Sequence, residues 1–416
     1  MKRFGTCILM AVACVALVAM PAGAALITMV NSQQQSSSGG VWNNSSSSGV
    51  YWWSDHLVAR AGNDYVVGSG FALRTPTSAS TFAGDSLQID AGGNLLLRCS
   101  SPSLTINNLR LNGGRLETYQ TGTATIAGSI SLLAGSTSTF NPTTETNPST
   151  LRNIMVNAPI SGEGNLTKTG AGLLTLSGAN TYTGTTTINQ GTLRLGAAAS
   201  MASRTINVAS GARFDVANVA TFALASGQTI KGSGQILGAL TVGSGSILAP
   251  GASPGTLIQT GAQTWAGGGQ YTWEVSQVTA GGGDQAALKG TAPGFDFVDI
   301  TGGLGITATA ADKFIIAITG LTLANVAGAV ANWDPQADYA WVIATASGGI
   351  TGFNAGEFTL DLAAFEASNV IPVGRKFVIA QDGNNVLLTY VPEPATLALL
   401  GLGAAATLLS RRRQRK

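Results

Sequence analysis

Few residues in this chain have the type and spacing to do covalent chemistry. In the middle third, Glu163, Lys168, Arg194, Arg204, Arg213 and Asp215 are charged, but they are scattered through the sequence. A polysaccharide lyase or glycosidase needs carboxylates converging on one bond, with a cation or a metal beside them. Asp296 and Asp299 could bind Ca²⁺ or act as an acid/base pair. Their alternation with Phe295, Phe297 and Val298 reads instead as a charged outer strand face or a loop. His56 is the single histidine, so a Ser-His-Asp set cannot be assembled, and it reads as a surface or capping residue. Trp42, Trp52 and Trp53 could stack sugar rings. They read more simply as an apolar cap over the end of a stack of strands, where an open edge invites aggregation. No catalytic residue, metal site or cofactor is expected.

The elements that must position these residues are short strands. Of 416 residues only 10% are charged, against about 25% for a typical soluble protein, while 55 are Gly and 44% are hydrophobic. That balance excludes a disordered acidic chain and suits an extracellular β-protein. Seven of the 22 basic residues and one of the 20 acidic residues lie in terminal segments expected to be removed. The body keeps 15 against 19, a net charge of −4, so no basic footprint for nucleic acid exists. Cys7 and Cys14 fall in the leader, which leaves Cys99 alone beside Leu95 to Leu97. A disulfide or a zinc cluster is not available, and Cys99 reads as a small buried hydrophobe.

Along residues 65–140 apolar runs of about three residues alternate with turn pairs such as Gly92-Gly93, Asn107-Asn108 and Gly113-Gly114. Asn141 to Arg152 carries two prolines and reads as a loop bulging from the stack. From Thr167 to Gly196 the runs Leu173 to Leu176, Thr185 to Ile188 and Leu193 to Leu195 are each three or four residues long. Glycines and Asn180 and Asn189 stand at the corners between them. This is the pattern of a β-solenoid, in which inward Leu and Ile of one coil stack on those of the next.

The same stretch resembles the autotransporter-associated β-strand repeat of secreted bacterial passenger domains. The resemblance is carried by Lys168, Gly170, Gly172, Leu174, Leu176, Gly178, Asn180, Tyr182, Gly184, Thr187, Ile188, Gly191, Leu193 and Gly196. A looser match at residues 233–255 is similar to the APG-x-SPG segment seen downstream of such repeats. The resemblance implies a right-handed parallel β-helix that serves as a scaffold or adhesive surface. Self-exporting members end in a membrane β-barrel, and the C-terminus here does not resemble one. Gly281-Gly282-Gly283-Asp284 is similar to a calcium-binding nonapeptide but occurs once, without the period.

Both ends carry addresses. Lys2 and Arg3, an apolar run from Cys7 to Met20 and Ala22-Gly23-Ala24 form a secretory signal, with cleavage expected after Ala24 or Ala25. Pro392-Glu393-Pro394 precedes fifteen apolar or small residues, Ala395 to Leu409, and a basic cluster that includes Arg411, Arg412 and Arg413. As a helix the run spans roughly 22 Å, short of the ~30 Å hydrocarbon core, so it could cross only with help from snorkelling arginines. Order, spacing and composition resemble the PEP-CTERM sorting signal. That resemblance implies recognition by an exosortase, a membrane cysteine peptidase, and transfer to the cell surface or extracellular polysaccharide.

The expected architecture is all-β. A signal peptide (1–25) and a polar arm with an N-terminal cap (26–56) precede a right-handed parallel β-helix (57–263, repeat at 162–198). An antiparallel β-rich C-terminal domain (264–391) and a sorting segment with one hydrophobic helix (392–416) follow. The expected function is that of an exported surface or matrix protein, structural or adhesive. Its partners would be secretion machinery, an exosortase-type peptidase and polysaccharide or neighbouring surface molecules, with membrane contact through the C-terminal helix. A β-helix lyase or hydrolase is the alternative. A carbohydrate-binding module built on the N-terminal aromatics is a third reading.

Overall fold

The structure is a computed structural model that describes residues 24–30, 46–47, 50–98, 103–118, 122–143 and 152–393. It is a parallel β-solenoid. One face is a twelve-stranded ladder running from Ala72–Arg74 to Phe358–Asp361. A second face is an eighteen-stranded sheet, and a third, of five strands, runs from Phe222–Ala223 to Ile350–Thr351.

Strand alternation explains why these short runs suffice. Each strand points every second residue inward, and parallel in-register pairing sets inward residues of successive coils in line. Leu95, Leu116 and Phe140 form one such row. Ile154, Leu174, Leu193, Phe214 and Ile236 form another on the second face. All of these are completely buried. A four-residue strand alone buries almost nothing, so the stack is the unit of stability.

Corners approach the previous coil closely. A Cβ built on Gly172 would stand 1.8 Å from the carbonyl oxygen of Arg152 and 2.3 Å from that of Pro142. Only glycine lets the backbones meet there.

Two expectations change on contact with the fold. Asn107-Asn108 is not a turn. Both residues lie exposed within one continuous strand, Leu104–Asn112, opposite a register shift between Gly128 and Ile130. The parallel ladder does not stop near residue 264. Gln263–Trp265 and Gln270–Val275 pair in parallel with Leu304–Ile306 and Phe314–Gly320. The antiparallel C-terminal part is present, and it is formed by Tyr339–Ala346, Asn385–Pro392 and Arg375–Asp382. The aromatic residues of this half fill the core: Trp265 stacks on Phe314 at 4.9 Å, and Trp273 meets Trp341 edge-on at 5.4 Å. The expected C-terminal hydrophobic helix falls outside the described residues. Among those described, no helix is long and apolar enough to cross a membrane.

Gln263 occupies an inward row between Leu240 and Leu304, and both of its side-chain polar atoms are buried without a hydrogen-bond partner. A buried amide without partners costs about 1–3 kcal/mol. Gln263→Met, of similar volume, is expected to raise stability by about 1 kcal/mol in urea denaturation. An unchanged or lower midpoint would contradict this.

Candidate functional site

The recognised repeat folds into successive coils through the strands Asn165–Lys168, Leu173–Leu176, Thr186–Ile188 and Thr192–Leu195. Register places Lys168 in an inward row between Phe140 and Ile188, where a hydrophobic residue would ordinarily stand. Its side chain is completely buried. The Nζ donates to the carbonyl oxygens of Thr169 (2.9 Å), Gly170 (2.7 Å) and Gln190 (3.0 Å). Burial lowers its pKa to about 7. The three carbonyls match the three N–H bonds of an ammonium and work against that shift. Lys168 thus ties the corner of its own coil to the corner of the next, and its amine has no direction left for a substrate.

The outer face of this region is polar. Thr139, Thr167, Thr187 and Asn207 stand in one outward row, and Thr205 and Thr229 stand side by side in the next. Asn165 joins coils by donating to Thr137 Oγ1 (3.3 Å) and accepting from the Thr185 N–H (2.8 Å). Beside it lies an open trough of about 430 Å³ lined by Glu163, Asn165, Thr183, Gly184, Thr185, Arg204 and Thr205. Hydroxyls, one amide, one carboxylate and one guanidinium can hydrogen-bond a hydroxyl-rich polymer. A single lining carboxylate is half of what glycoside hydrolysis ordinarily requires.

The fold therefore lines one trough with Glu163 and Arg204 and pairs Arg194 with Asp215 elsewhere. Arg194 Nε pairs with Asp215 Oδ2 at 2.7 Å across neighbouring strands, while Arg213 Nε donates to Gln235 Oε1 at 3.1 Å. Asp296 and Asp299 do not form a pair. Asp299 takes an outward row between Ile258 and Thr345, whereas Asp296 is completely buried, contrary to the expected outer face or loop. Asp284 Oδ1 accepts the Ala286 N–H at 3.0 Å, and among the described residues no cluster of three metal-ligating side chains occurs.

Sequence reasoning missed the role of Asp296. Its Oδ1 accepts the Gly255 N–H (2.9 Å) and its Oδ2 the Glu274 N–H (3.0 Å), while its carbonyl accepts from Trp273 Nε1 (2.8 Å). Gly255 closes the APG-x-SPG segment, so this carboxylate fastens that corner to the next coil. Burial first, and the neighbouring Glu274 second, push the Asp296 carboxyl well above the usual carboxylate range. The sequence signal was a lone Asp after Gly-Phe, which local alternation cannot place.

The aromatic platform is not formed by Trp52 and Trp53. Both are buried, at 8% and 0% exposure, and Trp53 packs edge-on to Tyr65 at 4.8 Å, which in turn meets Phe82 at 5.5 Å. Both belong to the buried apolar core of the first coils. Trp42 and Cys99 lie outside the described residues.

The two ends of the described body lie beside the expected leader and the C-terminal sorting segment. Ala24 is half-buried and Ala25 exposed, and Ala25–Thr28 pairs in parallel with residues of Asn63–Val67. Cleavage after Ala24 would leave this first strand intact. At the other end Pro392 is the last residue of its strand, opposite Arg375, and the Glu393 N–H bonds the Gly374 carbonyl at 2.7 Å. Pro392 and Glu393 are exposed. Pro394 and Arg411, Arg412 and Arg413 lie outside the described residues.

Comparison with known proteins agrees with this layout. Residues 166–195 match the passenger-associated-transport-repeat, and residues 391–414 match the PEP-CTERM protein-sorting motif. A stretch of 154 residues, 36% of the chain, is 32% identical to "Adhesin BmaC autotransporter" of Brucella suis biovar 1 (strain 1330). That stretch corresponds to 4% of the adhesin's length.

Proposed function

We propose that this protein is an exported structural or adhesive component of the cell surface or extracellular matrix, delivered there by an exosortase-type peptidase. The observation that carries the proposal is the exit of the chain. The last strand delivers Pro392 and Glu393, exposed, at the start of the sorting motif, where a peptidase can reach them without unfolding the body. The C-terminal apolar run holds the protein transiently in the membrane until it is cut. Secretion machinery removes the leader after Ala24 or Ala25. The adhesin-like stretch supports an adhesive role for the solenoid, whose polar trough contacts extracellular polysaccharide or neighbouring surface molecules.

The mass and C-terminal peptide of the protein from cells and medium test the sorting step. A product ending within residues 392–394 is expected, and an intact tail in every fraction refutes it. For the face, Glu163→Ala combined with Arg204→Ala is expected to change stability by under about 0.5 kcal/mol, because both side chains are exposed. Retention of the protein on its own cells' exopolysaccharide should nevertheless fall. Unchanged retention would remove the trough from the contact. Turnover of a glycan that disappears in Glu163→Ala would favour the lyase or hydrolase reading instead.

A further inference from the structure

The large hydrophobic residues left exposed among the described residues are not spread along the solenoid. Leu26, Val30, Leu57 and Val58 surround the first strand; Leu323, Val326, Val370 and Val373 lie in loops of the last coils. The second group is 59%, 59%, 70% and 106% exposed. Asn369 ties its two loops together: its Oδ1 accepts the Val330 N–H (2.9 Å) and its Nδ2 donates to the Gly328 carbonyl (3.3 Å). Trp333 Nε1 adds a bond to the Val370 carbonyl at 3.3 Å. The apolar tips are therefore held on a braced platform, although solvent exposure of valine and leucine there gains nothing for folding.

The exit of the chain says what covers them. Val373 precedes Gly374, whose carbonyl holds the Glu393 N–H at 2.7 Å. Beyond Glu393 one residue, Pro394, separates the body from the apolar run Ala395 to Leu409. An extended chain covers at most ~3.6 Å per residue, so the run begins within about 7 Å of Glu393. Once the run enters a bilayer, the loop carrying Val373 has no room to stay away from that bilayer. The sequence Val370-Ile371-Pro372-Val373 sets an apolar tip ahead of the cation Lys376, which suits an interface of acyl chains below headgroups, while the buried Arg375 braces the loop from within. Arg375 is held in place by the Ala337 carbonyl (2.6 Å) and Asp338, and lies over the Tyr390 ring at 4.8 Å.

We infer that the loops bearing Leu323, Val326, Val370 and Val373 form a membrane-seating surface, which rests on the outer leaflet of a lipid bilayer while the tail is inserted. This rests on the proposed insertion of the tail. Its consequence is mechanical: the braced loops fix the height at which Pro392 and Glu393 stand above the lipid, and so present the sorting motif to a membrane peptidase at a constant level.

The test uses the mature chain from residue 25 with Cys99→Ser, reconstituted into phosphatidylethanolamine/phosphatidylglycerol vesicles. A single environment-sensitive fluorophore is attached at Val373→Cys, Val326→Cys, Ser210→Cys on the mid-solenoid corner, or Ala404→Cys in the tail. Lipids spin-labelled near the headgroup should quench the probes at 373 and 326 and spare the one at 210, and lipids labelled deep in the acyl chain should quench the one at 404. Quenching at 404 without quenching at 373 and 326 overturns the seating surface and leaves tail insertion standing. Absence of quenching at 404 overturns tail insertion and the seating surface with it. Probes at 373 and 326 that shift blue with protein concentration in detergent, and ignore the spin-labelled lipids, would assign the patch to a second copy of the chain and overturn the proposal.

Discussion

Replacing Asp296 by alanine is expected to cost about 4 kcal/mol of stability, because two buried backbone N–H groups, of Gly255 and Glu274, lose their acceptors at once. Each stranded donor costs about 1–3 kcal/mol. Asp296→Asn keeps the shape and one acceptor while turning a donor toward the second N–H, so its loss should be smaller. The two variants also separate packing from charge. The raised native carboxyl means that the native chain still holds a proton the unfolded chain releases once the pH passes its ordinary value of 3.8. Asp296 therefore supports the fold fully below that value, and its contribution declines as the pH climbs toward the elevated native one. Glu274, raised chiefly by burial, adds a slope of the same sign. Urea midpoints for wild type and Asp296→Asn across the acid range should show a shallower decline in the variant. An identical decline would assign the slope to Glu274.

The second large effect concerns Lys168, and its sign is the opposite. With the native amine lowered to about 7 from 10.5, the unfolded chain binds the proton that the native chain has released anywhere between those values. Stability should rise with pH across that window, by at most about 1.4 kcal/mol per pH unit, and be level on either side of it. Below pH 7 both states are charged and the burial penalty is constant. Lys168→Met is expected to remove the rise, and to lie about 1–3 kcal/mol below wild type near pH 9, since the carbonyls of Thr169, Gly170 and Gln190 lose their donor. A wild-type curve as flat as the variant's would show that the three carbonyls keep the ammonium charged throughout.

Lys168 and Asp296 also mark the limit of reading the chain one stretch at a time. Lys168 ends a short strand and Asp296 directly precedes one, and local alternation assigns each a face only relative to its neighbours. Whether Thr167 or Lys168 points inward depends on the coil beneath, where Phe140 already occupies the inward row. The tryptophans illustrate the same dependence. Trp52 and Trp53 have the composition of a sugar platform, and only their packing under the first coils, against Tyr65, removes them from the surface.

What the sequence determined alone was the class of object and its C-terminal sorting motif. Short Leu/Ile runs broken by Gly and Asn admit little besides stacked coils, since a three-residue strand cannot bury its face except against its own repeat. The order of Pro392-Glu393-Pro394, an apolar run and arginines is a linear signal and needs no fold to be legible. Tertiary structure alone decided three things. It carried the parallel ladder past residue 264 as far as Phe358–Asp361 and built the antiparallel C-terminal part from three strands. It buried Lys168 and Asp296 while grouping Glu163 with Arg204. It set Val373 beside Glu393 at the exit of the chain. The physical reason is common to all three. In a solenoid the neighbours of a residue lie one coil away, as Leu166 and Thr186 do, and the lengths of the intervening corners decide which residues meet.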